Sequence, residues 1–472
     1  MLIAPGGAAR LVVIGRIGTV RANTNGDSSN LGGTYVFSDL GSPSLWTVAA
    51  GGGTDVVIAP GPYRATSAGV PGRSNAGGCP TSLRGVFAGL SPAAANGTWT
   101  LVIADNAAND IGAIGTSTLT LDSLSDAVFA SGFEPAAPPS AEALLGSLGA
   151  PAHCINKVQA DLTGDGLTDY VVSRANGANI DWLIRENLGN GTASATEVTF
   201  QLGNPSTDFV DTLDLDGDRI ADPAAWTEAA AGVARFTVRL SSRNGALRTV
   251  ALGQTGDDPT QSGDYDGDGI DDLAVYRAPP FGSPDGPMQV IYLRSSDGTQ
   301  RTVTIGTGVD GDQFAISGFD YSGDGLADIV AQETDATVPS AGRFRMFNAL
   351  TGVEFSTFTL GTNADFLVPG NYVGSAWNDV TVRRTVGGNR EWTTRDSQAG
   401  TVAAPIVFGI TGDTSVGGDN DGDGLSDLGL WRPSATAGAT IFQIRPSSNP
   451  STPITVNFGQ QNDFPVAASR VK

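Results

Sequence analysis

One histidine and two cysteines in 472 residues nearly exclude a zinc centre, which needs about four Cys, His or carboxylate ligands in close array. The same scarcity argues against a Ser-His-Asp hydrolase, because the sole histidine, His153, would have to face a serine on a rigid scaffold and instead sits at the exit of a linker. Cys79 and Cys154 allow one disulfide or two buried thiols, and their spacing does not choose. No apolar run approaches the ~18 residues that span a membrane. Leu11-Val12-Val13-Ile14, followed by Arg16 and Arg21, is too short for a secretory signal. Lys and Glu are sparse while Gly and small β-compatible residues dominate, which predicts an all-β chain with many turns. Clustered cations are missing too, and a formal charge of −22 argues against a phosphate-binding, nucleic-acid surface. With 40% hydrophobic residues the chain is not disordered, and at this length two or three domains are expected.

What the chain has in abundance is one acidic turn. Asp264-Tyr265-Asp266-Gly267-Asp268-Gly269-Ile270-Asp271-Asp272 runs into the apolar Leu273-Ala274-Val275-Tyr276, and matching turns begin at Asp161, Asp214, Asp320 and Asp419, with a degraded copy at Asn371. Starts 48 to 56 residues apart mean one supersecondary unit used six times. Each unit has the same order. The turn leads into a strand such as Asp169-Tyr170-Val171-Val172, then a second such as Asp181-Trp182-Leu183-Ile184-Arg185. A third ends in Gly, as in Val198 to Gly203, and a fourth, such as Phe366-Leu367-Val368, feeds the next turn. Four short strands per ~50 residues is the grammar of a β-propeller blade. Six blades are expected, with Phe464-Pro465-Val466-Ala467-Ala468 as the spare strand that closes the ring; a seventh blade would need Ala141 to Gly149.

The chemistry lies at positions 1, 3, 5, 7 and 9 of the turn, where alternating side chains on a tight loop converge and position 7 offers a backbone carbonyl. Carboxylates brought to one point need a cation. Calcium suits them, as a hard ion that takes about 6–8 oxygens in a flexible shell, whereas magnesium keeps several waters and softer metals want His or Cys. Four carboxylates occur in the loops of Asp214, Asp216, Asp218, Ile220 and Asp222, of Asp264, Asp266, Asp268, Ile270 and Asp272, and of Asp419, Asp421, Asp423, Leu425 and Asp427, although Arg219 replaces Gly at position 6 of the first of these. A hydroxyl stands at position 3 in Asp161, Thr163, Asp165, Leu167 and Asp169, and in Asp320, Ser322, Asp324, Leu326 and Asp328, so weaker binding is expected there. Asn371, Val373, Ser375 and Asp379 leave one carboxylate, and no metal is expected. The plain alternative is that Asp and Gly merely make good turns; five copies with one ligand spacing favour about five structural calcium ions. Trp182 and Trp392 on second strands, and Tyr276 and Trp431 on first strands, recur at equivalent positions and are read as packing between blades instead of sugar-stacking platforms.

These repeats, over residues 153 to 472, resemble the FG-GAP/VCBS family of integrin α-subunit propellers and secreted bacterial proteins. The resemblance implies a calcium-stabilised propeller outside the cytoplasm, at the cell surface or secreted, serving adhesion or recognition of a carbohydrate or protein.

Residues 1 to 126 read as a separate β-domain, with strand character at Ala9 to Ile14, Gly33 to Phe37, Thr98 to Ile103 and Ser117 to Leu121. In Asn96-Gly97-Thr98-Trp99-Thr100-Leu101-Val102-Ile103-Ala104-Asp105-Asn106, the residues Trp99, Leu101 and Ile103 alternate on one face. With Leu2-Ile3-Ala4-Pro5-Gly6-Gly7, Gly33 to Asp39, Trp46, Pro62-Tyr63-Arg64 and Phe87-Ala88-Gly89-Leu90, this passage resembles the P domain (P/Homo B) that follows the catalytic domain of proprotein convertases and many bacterial subtilisin-like proteases. It implies a jelly-roll sandwich joined part-way through, so further strands are expected before Met1. Trp99 and Phe37 are read as core, and Asn96-Gly97-Thr98 as a turn rather than a glycosylation acceptor. Residues 127 to 152, with Ser131-Gly132-Phe133-Glu134-Pro135 and Ala136-Ala137-Pro138-Pro139-Ser140, form an extended linker.

Two functions follow. One is a non-catalytic extracellular calcium-binding adhesion or recognition protein. The other is the accessory C-terminal region of a secreted subtilisin-like serine protease whose catalytic domain this chain lacks. A carboxylate-pair glycosidase is permitted by composition, but most acids already belong to the repeats.

Overall fold

The computed structural model describes residues 1–14, 30–38, 45, 48, 57–66, 81–87, 90–103, 115–120 and 159–468, the last with gaps at 190, 229–231, 280–285, 308–313, 316–317, 335–336, 339 and 375–376. The linker, the Ala141 to Gly149 segment, His153, Cys79, Cys154 and Ser375 lie outside the described residues.

From Tyr170 onward the chain is built of antiparallel sheets met in chain order. The second holds Asp208–Leu213, Asp222–Thr227, Arg235–Leu240 and Ala246–Ala251 as a meander. The fourth holds Phe314–Ala315, Asp328–Thr334, Ala341–Asn348 and Glu354–Thr362, and the fifth Phe366–Leu367, Val380–Val386, Asn389–Arg395 and Ile406–Ile410. The sixth holds Thr414–Val416, Leu428–Arg432, Ile441–Arg445 and Ile454–Asn457. The first sheet joins Tyr170–Asn176, Asn179–Arg185 and Val198–Gln201 to Phe464–Pro465 from the far end of the chain, in register Phe464 to Ser173 and Pro465 to Val172. A covalently distant strand therefore supplies the first sheet's missing edge. In the second, fourth, fifth and sixth sheets the acidic turn lies between the first and second strands, so the strand that feeds the turn belongs to the same sheet as the strand that leaves it.

Alternation along these strands buries one side chain in two against the neighbouring sheet. Leu213, Trp226 and Phe236 of the second sheet pack with Val275 and Ile291 of the third, and Val290 and Tyr292 of the third with Ile329 and Phe347 of the fourth. Phe344 of the fourth meets Val380 and Val382 of the fifth, whose Trp392 meets Leu428 and Leu430 of the sixth. Tyr170 and Trp182 of the first then share a core with Trp431, Phe442 and Phe458 of the sixth and with Ala225 of the second, so the succession of shared cores runs round to its start. Trp182, Trp392, Tyr276 and Trp431 are all buried. Three indoles donate to a carbonyl at the end of an outer strand: Trp182 to Leu202 (3.0 Å), Trp226 to Leu252 (3.1 Å) and Trp392 to Phe408 (2.8 Å).

Three expectations are corrected. The third sheet has three strands, Leu273–Arg277, Pro287–Leu293 and Gln300–Thr307; its first strand is reduced to isolated bridges of Asp258 with Tyr276 and Gly263 with Asp272. Ser117 to Thr120 is not a strand. Leu101 and Ile103 are exposed instead of sharing a core face with Trp99, because the strand there is only Thr100–Leu101 and Trp99 turns to pack on Phe87. The described N-terminal residues hold one antiparallel sheet, Arg10–Leu11, Leu2–Ile3 and Thr100–Leu101. They also hold two parallel pairs, Asn30–Leu31 with Val57–Ile58 and Tyr35–Ser38 with Gly61–Arg64.

Opposite the acidic turns, a second motif recurs. After the Gly that ends an outer strand, an Asp accepts a backbone N–H and a bidentate guanidinium from the next strand: Arg174 on Asp463, Arg277 on Asp257 and Arg432 on Asp413, all at 2.7–2.8 Å. Bidentate geometry makes these stronger than ordinary surface pairs. The Arg174–Asp463 pair fastens the C-terminal strand to the first sheet, and Asp463 also accepts from Gln460 N at 2.8 Å. Asp463→Ala is expected to cost about 1.5–3 kcal/mol, the range for hydrogen bonds to charged groups, in urea unfolding. A loss indistinguishable from zero would mean that this pair does not hold the closing strand.

Candidate metal centres

The acidic turns share one wiring, set by the first and last carboxylates. Position 1 accepts from the backbone N–H of position 4 in all six loops: Gly164 to Asp161 (2.7 Å), Gly217 to Asp214, Gly267 to Asp264, Gly323 to Asp320 and Gly422 to Asp419 (each 2.6 Å), and Gly374 to the amide oxygen of Asn371 (3.1 Å). Its second oxygen accepts from position 6 in the five carboxylate loops, at 2.6–3.0 Å. Position 9 accepts from the N–H of position 2, from Leu162 on Asp169 through Asn420 on Asp427, at 2.7–3.1 Å. These bonds curl nine residues tightly enough to need left-handed backbone. Gly at position 4 has φ from 72° to 86°, and Arg219 at position 6 has φ 70°.

Neighbouring loops are joined by their backbones. Position 8 of each loop donates to the position 1 carbonyl of the loop before it: Ala221 to Asp161, Asp271 to Asp214, Ala327 to Asp264, Asn378 to Asp320, Ser426 to Asn371, and Thr168 to Asp419, all at 2.6–2.8 Å. The sixth bond returns to the first loop, so the loops form a closed ring. Position 7 side chains pack over position 4 of the preceding loop, and a β-carbon on Gly164 would lie 2.7 Å from Ile220, on Gly217 2.9 Å from Ile270. Glycine is required there by both torsion and space.

The ring crowds the acids. Within each of the groups Asp214, Asp216 and Asp218; Asp264, Asp266 and Asp268; and Asp419, Asp421 and Asp427, carboxylate oxygens lie within 4.8 Å of one another. Asp161, Asp169, Asp320 and Asp328 are buried in the two loops with a hydroxyl at position 3, where Thr163 is exposed and Ser322 half-buried. Leu167, Ile220, Ile270, Leu326 and Leu425 each donate their N–H to the position 5 carboxylate of Asp165, Asp218, Asp268, Asp324 or Asp423, at 2.9–3.0 Å. Asn371 and Asp379 keep the bonds of positions 1 and 9 with no acids between them.

Turn formation does not account for every oxygen. Asp216 Oδ1, Asp266 Oδ1, Asp328 Oδ1 and Ser322 Oγ are buried without a hydrogen-bond partner, and such groups cost free energy unless something satisfies them. Acceptors in acidic clusters fit a hard cation and not another donor-poor side chain. The other oxygens are buttressed by serines that the sequence reading missed. Ser241 and Ser242 donate to Asp218 and Asp216 (3.0 and 2.6 Å), Ser295 to Asp268 (2.9 Å), and Ser447 and Ser448 to Asp423 and Asp421 (2.5 and 2.6 Å). The signal was present as Ser-Ser at or one residue beyond the end of the second strand of three repeats.

Burial and mutual repulsion push these carboxyls up. Desolvation, then the charges of Asp169 and Asp165, raise Asp161 to about 8; desolvation, then Asp421 and Asp419, raise Asp427 to about 8. Burial carries Asp169 and Asp320 to about 7, and Asp222, Asp272 and Asp328 well above the carboxylate range. Without a metal, the buried acids are unstable as a set of anions.

No family model and no curated protein matches the chain. Among solved structures it is similar to an ACO/RPE65 chimera (8% identity, 53% of this chain and 61% of that chain, TM-score 0.34). It is also similar to the Dos1 propeller (12%, 62% and 73%, TM-score 0.32). A third is the β-propeller domain of the trilobed protease from Pyrococcus furiosus (10%, 61% and 70%, TM-score 0.27), described as having an open velcro topology. The chain thus spans less than two thirds of the first of these. At such TM-scores the likenesses carry no weight beside the chain's own topology. Among the described residues, no helix is long and apolar enough to cross a membrane.

Raised carboxyl pKa values have a definite sign in stability. Asp161, Asp169, Asp320 and Asp427 keep protons in the fold that the unfolded chain, at its ordinary 3.8, has already lost. The metal-free fold therefore binds more protons across the window from about pH 4 to pH 8, and its stability falls as pH rises through it. In chelator, the thermal midpoint is expected to drop steadily from pH 5 to pH 8.5. A midpoint that rises over this range would contradict the burial of these acids.

Proposed function

We propose that this chain is a secreted or cell-surface, calcium-binding, non-catalytic recognition or adhesion protein of the FG-GAP/VCBS type, built on a six-bladed β-propeller whose ligand is a carbohydrate or a protein. Its N-terminal residues belong, on this reading, to a P-domain-like module. The observation that carries the proposal is the closed ring of six acidic loops, in which carboxylate oxygens of three loops converge and buried oxygens at Asp216, Asp266 and Asp328 have no partner. Calcium would be held by positions 1, 3, 5, 7 and 9 of the loops beginning at Asp161, Asp214, Asp264, Asp320 and Asp419. Its chemistry is charge neutralisation of a turn that could not otherwise be compact. Nothing in the loops resembles an acid–base pair held apart for catalysis, because the same carboxylates are tied to backbone N–H groups of the turn. Five divalent ions would cancel ten of the net negative charges and leave a scaffold rigid enough to present variable surface loops.

Thermal unfolding with calcium and with chelator tests this reading. A ligand at 100 times its Kd adds about 2.7 kcal/mol per site, so several sites are expected to raise the midpoint by well over ten degrees, and magnesium at equal concentration by much less. Calorimetric titration is expected to count up to five ions. Asp272→Asn should remove one, whereas Asp379→Asn in the degraded loop should leave the count unchanged while still lowering stability. An unchanged midpoint in chelator sinks the proposal.

A further inference from the structure

The second acidic loop differs from the others in what covers it. Segment 81–87 of the N-terminal module lies directly on it: Ser82 N donates to the carbonyl of Gly217, position 4 of the loop, at 2.9 Å. Thr81 and Ser82 are buried there, and a β-carbon on Gly217 would stand 2.8 Å from Ser82 Cβ. The contact is therefore made to the same residue that wraps Asp214, whose carboxylate receives the Gly217 N–H at 2.6 Å.

A single short turn, Ser241–Arg243 capped by Asn244, links the two partners. Its first half faces the acids: Ser241 N and Oγ donate to Asp222 (2.7 Å) and Asp218 (3.0 Å), and Ser242 Oγ to Asp216 (2.6 Å). Its second half faces the N-terminal module: Arg243 Nη2 donates to the Val86 carbonyl (2.9 Å), and Asn244 Nδ2 to the Gly7 carbonyl (2.7 Å). Asn244 reaches Gly7 from a left-handed backbone, φ 54°. In the third and sixth sheets the equivalent serine pairs are followed by Asp297-Gly298 and Asn449-Pro450, which close their own turns through Thr299 N to Asp297 (2.9 Å) and Thr452 N to Asn449 O (3.1 Å). An Arg-Asn continuation aimed at another part of the chain is found, among the described residues, at the second loop.

We infer that the second acidic loop is the docking site of the chain's own N-terminal module, and that a divalent cation held by Asp214, Asp216, Asp218 and Asp222 and the docking of segment 81–87 stabilise each other. Asp216 Oδ1, buried and without a hydrogen-bond partner inside this cluster, is the observation that points to an ion there. The coupling follows from shared parts. An ion that fixes Asp216, Asp218 and Asp222 also fixes Ser241 and Ser242, and with them Arg243 and Asn244. Removing the ion frees the carboxylates to repel one another, which displaces the turn and the Gly217 carbonyl that hold Val86, Gly7 and Ser82. By linkage the effect must run both ways. The second loop would then be a calcium-dependent latch between module and ring. The inference rests on the calcium reading above.

The test is hydrogen–deuterium exchange on the full chain, following the peptide that spans 81–87, in calcium and in chelator, alongside a calorimetric calcium titration. Chelation is expected to speed exchange of this peptide on the order of tenfold, within the 5–150-fold span of ordinary coupling between sites. In calcium, Asp216→Asn should reproduce that loss of protection, and Asp421→Asn, the equivalent change in the sixth loop, should not. Conversely, Arg243→Ala combined with Asn244→Gly, which keeps the left-handed backbone and touches no carboxylate, should weaken one calcium of the set several-fold and leave the rest. If calcium binds and the peptide is equally protected with and without it, or if the Arg243/Asn244 variant binds every ion as before, the latch is overturned and the calcium reading stands. If titration detects no calcium at all, both fall.

Discussion

Six backbone hydrogen bonds, each from position 8 of one acidic loop to the position 1 carbonyl of the loop before it, organise everything else in residues 159–468. A backbone donor and acceptor are present whatever side chain is carried, so the ring tolerates Thr168, Ala221, Asp271, Ala327, Asn378 and Ser426 at one position. It does not tolerate a loop of different length or curl. The bond from Thr168 to Asp419 joins the first repeat to the last, and the C-terminal strand repeats that closure within the first sheet. Closure at two levels matters because an array of sheets is only as stable as its least covered end.

The ring creates the electrostatic problem that the loops then have to solve. Bringing position 1 of each loop to its neighbour puts carboxylates where solvent is excluded and like charges are close, which is why the acids hold their protons so strongly. The degraded loop separates the two roles. Asn371 still accepts from Gly374, and its carbonyl still accepts from Ser426, but it brings no charge. One repeat can thus give up the acids and remain in the ring, so the acids at positions 3 and 5 of the other loops have a purpose beyond the turn. The orphaned oxygens of Asp216 and Asp266, both at position 3, say the same from the side of hydrogen bonding.

Much of this was legible because the constraints fall on side chains with distinctive chemistry. The period of the acidic turn, the strand order after it, the closing role of Phe464-Pro465 and the burial of Trp182 and Trp392 all leave marks in residue type. The six inter-loop backbone bonds left none, since position 8 makes them with its N–H; its side chain adds a contact to the preceding loop at Asp271 and Ser426, which accept from Asp214 N and Asn371 N. The Arg–Asp pairs at the opposite end were overlooked although Arg174, Arg277 and Arg432 stand five residues after a position 9 Asp, because the partner acids lie 19 to 289 residues away. The sequence also overstated regularity: the bridges at Asp258 and Gly263 hold the edge of the third sheet without a continuous strand. In the N-terminal residues the alternation of Trp99, Leu101 and Ile103 suggested a buried face, yet a strand of two residues cannot present one.

Arg219 shows how a local exception can serve the ring. Position 6 is Gly in the other carboxylate loops, and a non-glycine residue at φ 70° is strained. The Arg219 N–H nevertheless makes the expected bond to Asp214, at 3.0 Å. Burial lowers the basicity of its guanidinium, while Asp214, Asp264, Asp271 and Asp161 favour its charged form. Those acids belong to the first, second and third loops, so the side chain sits in the field of three loops at once. A fixed monovalent cation there offsets repulsion between loops, which an ion centred within any one loop reaches less directly, since Coulomb energy falls with distance. Strain at one backbone position is in this way exchanged for neutralisation across two junctions of the ring. The second loop is also the one that carries the N-terminal module, so the loop with the greatest structural demand has both an internal cation and a full set of four carboxylates.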